Sequence, residues 1–329
     1  MARPPKHAVT VDVLEYFQAP AFRDLIVPAE WGSLPGRVVR SVENILHVFR
    51  NHGTRATFFF DPWIAKNNPS LAKKVADEGH EIGHLTLAGR ASTPPLDGPG
   101  SVLDHIKSLR ESSGKSVIGH RCQRRVSLRQ LQHVADLLIQ NGIQYDSSLC
   151  PRHCEEDVEP ETLLYPFSVT GINGALVELP LPTLTIPGLA IPVARGFSLR
   201  NAPYPLTRGA VQRLESHGRP VVLRIKSWEV DPYQPQIPSG FLRRIQHYAG
   251  LDRTLGILER LLKDFRFGPA GELPDRHPCP RISSRTAETR SAPSPEITQR
   301  ETTSMTGRDK AGDRSQALDR TPYPSYPPV

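Results

Sequence analysis

The chain has 329 residues, including 33 prolines and four cysteines, and carries a formal charge of +7 at pH 7. Its longest apolar runs are too short and too proline-broken to cross a bilayer, and four cysteines make no disulfide framework. The basic excess is spread along the chain without a basic arm or interleaved aromatics, which argues against nucleic acid as a partner.

Proline is uneven, because ten of the 33 fall between Pro269 and Val329, where Tyr323 and Tyr326 are the sole aromatic residues. Such a segment buries too little apolar surface to offset the entropy of ordering it. The expected division is a folded domain over 1–268 and a disordered Pro/Ser/Thr/Arg-rich tail over 269–329. No apolar segment of the secretory type precedes the first strand-like run, so a cytoplasmic location with reduced thiols is expected.

In chain order, His7–Val13 reads as a buried strand. Val38, Val42, Ile45, Leu46 and Phe49 then keep helical spacing up to His52-Gly53, and the strand-like Ala56–Phe60 follows. The same punctuation recurs three times: Glu78-Gly79 before Glu81–Leu85, Asn141-Gly142 before Ile143–Tyr145, and His217-Gly218 before Val221–Ile225. Each looks like a helix ending on a C′ glycine and feeding a strand. With Ser116–Gly119 and Ala175–Leu181 the count is about seven strands, alternating with helices. The expected fold is α/β, a deformed (β/α) barrel, with a doubly wound open sheet as the alternative. Functional side chains should then gather at the C-terminal strand ends, where the sequence places Asp12, Asp61, His84, Arg121 and Lys226.

From His7 to Pro269 the chain resembles the polysaccharide deacetylases of NodB-type homology, in particular the subfamily of exopolysaccharide and exosortase (PEP-CTERM) loci. The resemblance rests on Thr10-Val-Asp-Val-Leu-Glu-Tyr-Phe17, Arg55-Ala-Thr-Phe-Phe59, Gly79-His-Glu-Ile82, Tyr145-Asp-Ser-Ser148, Trp228-Glu-Val-Asp-Pro-Tyr-Gln-Pro235 and His247-Tyr-Ala-Gly-Leu-Asp-Arg-Thr254. It implies a divalent metal, usually zinc, held by two imidazoles and a carboxylate, with an Asp as base and a His as acid. It also implies a polysaccharide or lipid-linked oligosaccharide as the partner.

Several positions depart from that pattern. Asp12 stands at the base, but the carboxylate expected two residues on is Leu14, and Glu15 would point away from the site without a bulge. His84 is the one metal ligand expected to be retained, since Ala88 replaces its partner. Arg121 keeps the place of an arginine that orients the base, whereas Lys226 stands where the acid should be, and a lysine is a poor proton donor at neutral pH. Zinc is therefore expected to be absent, with Lys226 and Arg121 supplying the missing positive charge around Asp12. Tyr16, Phe17, Glu178, Trp228 and Glu229 are the expected sugar-contacting residues. Cys150, His153 and Cys154, with His120 and Cys122, offer zinc-type donors in no closed four-ligand spacing and are read as unpaired. The favoured function is a catalytically impaired family member with a carbohydrate-binding or scaffolding role; the alternative is an active metal-dependent N-deacetylase.

Overall fold

A computed structural model of the chain describes residues 6–87, 102–123, 126–151, 161–186 and 189–282. The strands are β1 (His7–Val13), β2 (Thr57–Phe60), β3 (Glu81–Thr86), β4 (Gly119–Cys122), β5 (Tyr145–Asp146), β6 (Phe167–Gly171), β7 (Gly174–Glu178), β8 (Thr183–Ile186), β9 (Leu189–Pro192), β10 (Val222–Lys226), β11 (Phe267–Gly268) and β12 (Arg281–Ile282). The helices are α1 (Val38–Asn51), α2 (Pro62–Asn67), α3 (Pro69–Asp77), α4 (Val102–Ser113), α5 (Leu128–Gln140), α6 (Gly196–Asn201), α7 (Tyr204–Ser216), α8 (Phe241–Tyr248) and α9 (Thr254–Asp264). Among the described residues no helix is long and apolar enough to cross a membrane.

One ten-stranded sheet runs in the order β10-β1-β2-β3-β4-β5-β7-β6-β12, with β11 also paired to β1. Its left half, from β10 to β5, is parallel throughout, as the alternation of strands and helices requires. The expected α/β class is what the chain adopts. The expected barrel is not closed by strand pairing among the described residues, because β10 and β12 remain as ends. Single backbone bonds cross the gap instead: Leu181 N to Leu149 O (2.9 Å), Val193 N to Pro182 O (3.1 Å) and Arg224 N to Ala194 O (3.1 Å).

The four punctuating glycines Gly53, Gly79, Gly142 and Gly218 have φ of 59°, 83°, 75° and 71°, the left-handed turn that ends a helix and that side chains with a Cβ resist. Strand content exceeds expectation for a physical reason. The proline-rich stretch after Leu181 is an antiparallel hairpin, β8 on β9, whose prolines flank or end the strands rather than interrupt them. Packing also continues past the expected domain boundary: Ala270 and Leu273 are buried, the Ala270 amide donates to Thr57 Oγ1 (2.8 Å), and β12 pairs with β6. Residues 283–329 of the expected tail lie outside the described residues.

Alternation along the strands divides the core in two. Val9, Val11, Val13, Phe58, Phe60 and Ile82 face the helices and meet Val42, Ile45, Leu46 and Phe49 of α1. Ala8, Phe59, Leu85, Tyr145 and Val222 face the other way, into a second cluster with Phe17, Trp228 and Leu273. This second face is tight at Gly83, where an added Cβ would stand 2.5 Å from Phe59 Cδ1. Gly83→Ala should therefore lower stability by about 1–3 kcal/mol in urea unfolding. Gly209→Ala, at an exposed α7 position with nothing within 4 Å, should raise it by about 0.5–1 kcal/mol.

Candidate functional site

Asp12 ends β1 on the inner face and is wholly buried. Its Oδ1 accepts from Arg121 Nη1 (2.9 Å) and its Oδ2 from Arg224 Nε (2.7 Å), so both carboxylate oxygens are taken by guanidinium groups. Arg121 is anchored in turn: Nη1 also donates to Thr10 Oγ1 (2.8 Å), Nε to Ser147 O (3.0 Å) and Nη2 to Ser147 Oγ (2.9 Å), while its plane lies 4.2 Å over the Phe59 ring. Burial alone would raise the Asp12 pKa; the charges of Arg224 and Arg121 outweigh it and hold the carboxyl below the usual carboxylate range.

The expected partner Lys226 is turned to another carboxylate. It sits opposite Asp12 in the β1–β10 register. Its Nζ, however, pairs with Glu229 Oε1 at 3.6 Å, and that same oxygen accepts from Arg200 Nη1 at 2.6 Å. The residue that completes the Asp12 pair is Arg224, two positions earlier on the same strand face, and it is the correction to the expected Lys226–Arg121 pairing. The Lys226 pKa is lowered, burial being the main cause and the Glu229 charge opposing it.

The donor set does not fit the metal that the sequence resemblance implies. Leu14, where a carboxylate was needed, is buried among Tyr16, Phe17 and Phe22. Glu15 turns away and spends its carboxylate on the start of α1, accepting from Arg37 N (2.8 Å) and Val38 N (3.0 Å). His84 projects from the opposite face of the sheet: it is in register with Phe60 and His120, while Asp12 shares a row with Phe59 and Gly83. The β3 side chain on the Asp12 face is Leu85. Ala88 lies outside the described residues. Among the described residues no three His, Cys, Asp or Glu side chains are grouped to hold a metal. A cation entering the inner face would also meet Arg121 and Arg224 around Asp12 and Lys226 and Arg200 around Glu229.

Of the expected sugar contacts, four are committed to packing. Tyr16 is buried, Trp228 stacks on His247 with centroids 4.2 Å apart, Glu229 is held by Arg200, and Glu178 is buried with Oε1 accepting from Leu149 N (2.9 Å). Phe17 alone reaches a cavity. That cavity, about 680 Å³, opens beside the C-terminal ends of β2, β3 and β4, and Phe17, Trp31, Trp63, Asp61, His84 and Gln123 are among its walls. Trp63 stands edge-on to both Phe17 (5.8 Å, 84°) and Trp31 (5.8 Å, 86°). The polar wall is unspent: neither ring nitrogen of His84, neither amide atom of Gln123 and not the indole nitrogen of Trp31 has a partner, although all are buried. Trp31, Trp63 and Gln123 were not singled out by sequence, because nothing in their spacing signals that they converge. The Cys150–Cys154 donor stretch gives no site that can be described, since His153 and Cys154 lie outside the described residues, and His120 is engaged with Asp146 at 2.6 Å.

Comparison with known proteins agrees with this architecture. Residues 33–115 match the family model described as Polysaccharide deacetylase, and residues 147–274 match one described as Domain of unknown function (DUF3473). The chain is similar in fold to a Mycobacterium smegmatis protein described as a polysaccharide deacetylase (TM-score 0.52, 18% identity, covering 88% of this chain and 98% of that one). Over residues 33–115 the chain is similar to polysaccharide deacetylases. It is also similar in fold to 4-alpha-glucanotransferase from Thermococcus litoralis (TM-score 0.50, 12% identity, 84% of this chain and 41% of that one). A 59-residue stretch of the chain is 36% identical to the uncharacterized protein YlxY of Bacillus subtilis strain 168, covering 18% of this chain and 17% of that protein.

Two outcomes follow for this domain. Removing one partner of a buried ion pair costs about 3–5 kcal/mol, so Arg224→Met should destabilise by that order in urea, and Lys226→Met by clearly less. Asp61 caps α2, with Oδ1 accepting from Trp63 N (3.0 Å), Ile64 N (3.3 Å) and Gln18 Nε2 (2.9 Å), yet burial pushes its pKa up to about 7. A pKa raised above the unfolded value makes this group's contribution greatest in acid and lost as pH rises through about 7. Asp61→Asn should accordingly flatten the fall in melting temperature between pH 5 and pH 8.

Proposed function

We propose that this polysaccharide deacetylase-family protein does not carry out metal-dependent N-deacetylation and serves as a carbohydrate-binding member of an exopolysaccharide pathway. The observation that carries the proposal is the state of Asp12. A general base must reach the water it deprotonates, whereas Asp12 has no exposed surface and both of its oxygens are held by arginines. Proton abstraction would convert an ion pair into a neutral acid between two buried guanidinium groups, which is unfavourable at each step. No catalytic acid takes the place of histidine at Lys226, whose ammonium pairs with Glu229.

The cavity beside the strand ends supports the binding role. Aromatic faces pack against the apolar faces of sugar rings, and unpaired buried donors and acceptors accept hydroxyl groups. Trp31, Trp63 and Phe17 supply the first, and His84 with Gln123 the second. A polysaccharide or a lipid-linked oligosaccharide presents that chemistry.

The test is calorimetric titration with N-acetylglucosamine oligomers, run alongside zinc analysis and acetate release. Binding should occur, should weaken at least about tenfold in Trp63→Ala, a loss of about 1.4 kcal/mol, and should leave the oligomer acetylated. Stoichiometric zinc together with acetate release that Asp12→Asn abolishes would overturn the proposal.

A further inference from the structure

Asp146 and Ser148 of the motif Tyr145-Asp-Ser-Ser148 meet the histidine of β4 on the side of the sheet away from Asp12. His84, His120, Asp146 and Glu178 form one row across β3, β4, β5 and β7. Within it His120 Nδ1 stands 2.6 Å from Asp146 Oδ1, and His120 Nε2 stands 3.0 Å from Thr86 Oγ1. Asp146 is fixed from its other side by the Ser148 amide on Oδ2 (2.9 Å) and the Ser148 hydroxyl on Oδ1 (2.9 Å). Thr86 lines the aromatic cavity, as does Gln123, whose backbone amide donates to Thr86 O (2.9 Å) and whose side-chain amide has no partner.

We propose that Thr86, His120 and Asp146 form a hydroxyl–imidazole–carboxylate nucleophile that cleaves O-acyl esters bound in this cavity. The order of atoms fits that chemistry. An ionised carboxylate at Nδ1 fixes the proton there, so Nε2 presents its lone pair and Thr86 donates to it. Burial raises the Asp146 pKa, but the hydrogen bonds it accepts, that from His120 first, outweigh this and keep the carboxyl below the usual range. The neighbouring Glu178 is pushed well above its usual value by burial and then by the charge of Asp146.

Thr86 Oγ attacks the ester carbonyl carbon while its proton passes to His120 Nε2. The oxyanion forms in the cavity that Gln123 also lines, and the side-chain N–H of Gln123, which has no partner within the protein, is the donor available to it. On collapse the carbon–oxygen bond to the leaving alcohol breaks, and that oxygen takes the proton from His120. Water, deprotonated by the same nitrogen, then attacks the acyl-threonine; the bond from the acyl carbon to Thr86 Oγ breaks, Oγ takes the proton back from His120, and the carboxylic acid is released. No metal, oxidant or other reactant is required. That the alcohol is a sugar rests on the proposed function above; the nucleophile does not.

The test uses the full chain with p-nitrophenyl acetate and, separately, a fluorophosphonate probe followed by peptide mass spectrometry. The expected result is a stoichiometric phosphonyl adduct on Thr86 and p-nitrophenol release unaffected by chelator. Release should survive in Thr86→Ser, vanish in Thr86→Val and fall about 100-fold in His120→Gln, the usual worth of a general base. Thr86→Val exchanges a hydroxyl for a methyl, so it keeps the test valid where His120→Gln fails to fold. Equal release by wild type and Thr86→Val, or the absence of any adduct on Thr86, would sink the proposal. An adduct on Thr86 without oligosaccharide binding would instead refute only the sugar reading.

Discussion

The inner face of this domain is organised by one buried carboxylate shared between two guanidinium groups. A charge taken out of water is tolerated only when it is paired and hydrogen-bonded, and Asp12 meets both conditions through Arg121 and Arg224. The consequence spreads along the strands. Arg121 reaches from β4 across β3 and β2 to β1 with the Phe59 ring beneath its plane, and Gly83 leaves the room that this ring occupies. Ser147 holds its far edge from beyond β5. The same pair that stabilises this interior removes Asp12 from solvent. At its strand end Asp12 is held as the shared anion of a buried ion network.

Beside this closed centre the sheet offers a second set of unspent groups. The strand ends of β2 to β4 still carry an open cavity, as a parallel sheet does where its helices depart, but its polar atoms belong to the opposite side-chain phase. His84, Thr86, His120 and Asp146 alternate with Leu85 and Arg121. One residue of phase separates a filled interior from an open pocket. The aromatic residues that face the pocket come from the segment between β1 and α1 and from the start of α2.

Much of the fold was legible in the chain because it is local. Helix-ending glycines, the amphipathic spacing of α1 and the apolar runs of β1 and β2 each declare themselves within a dozen residues. What failed to show depends on pairing across distance or on phase. The role of Arg224 could have been found: on a strand it shares a face with Lys226, and from its place opposite Thr10 its guanidinium reaches Asp12. His84 was assigned to the metal from its place in a motif, whereas the strand phase puts Leu85 on that face. The series Thr86–His120–Asp146 joins β3, β4 and β5, and no spacing along the sequence reports that register. The hairpin of β8 and β9 was hidden by its prolines, which block ladder bonds only at positions where the ladder has already ended.

The carboxyl carbon of Asp12, followed by NMR across pH with and without added zinc, tests the account most directly. Ionisation should persist below the ordinary carboxylate range, as two arginines require, and zinc should leave the signal unmoved. A carboxyl that titrates at or above that range, or that shifts on adding zinc, would contradict the reading of Asp12 as a structural ion.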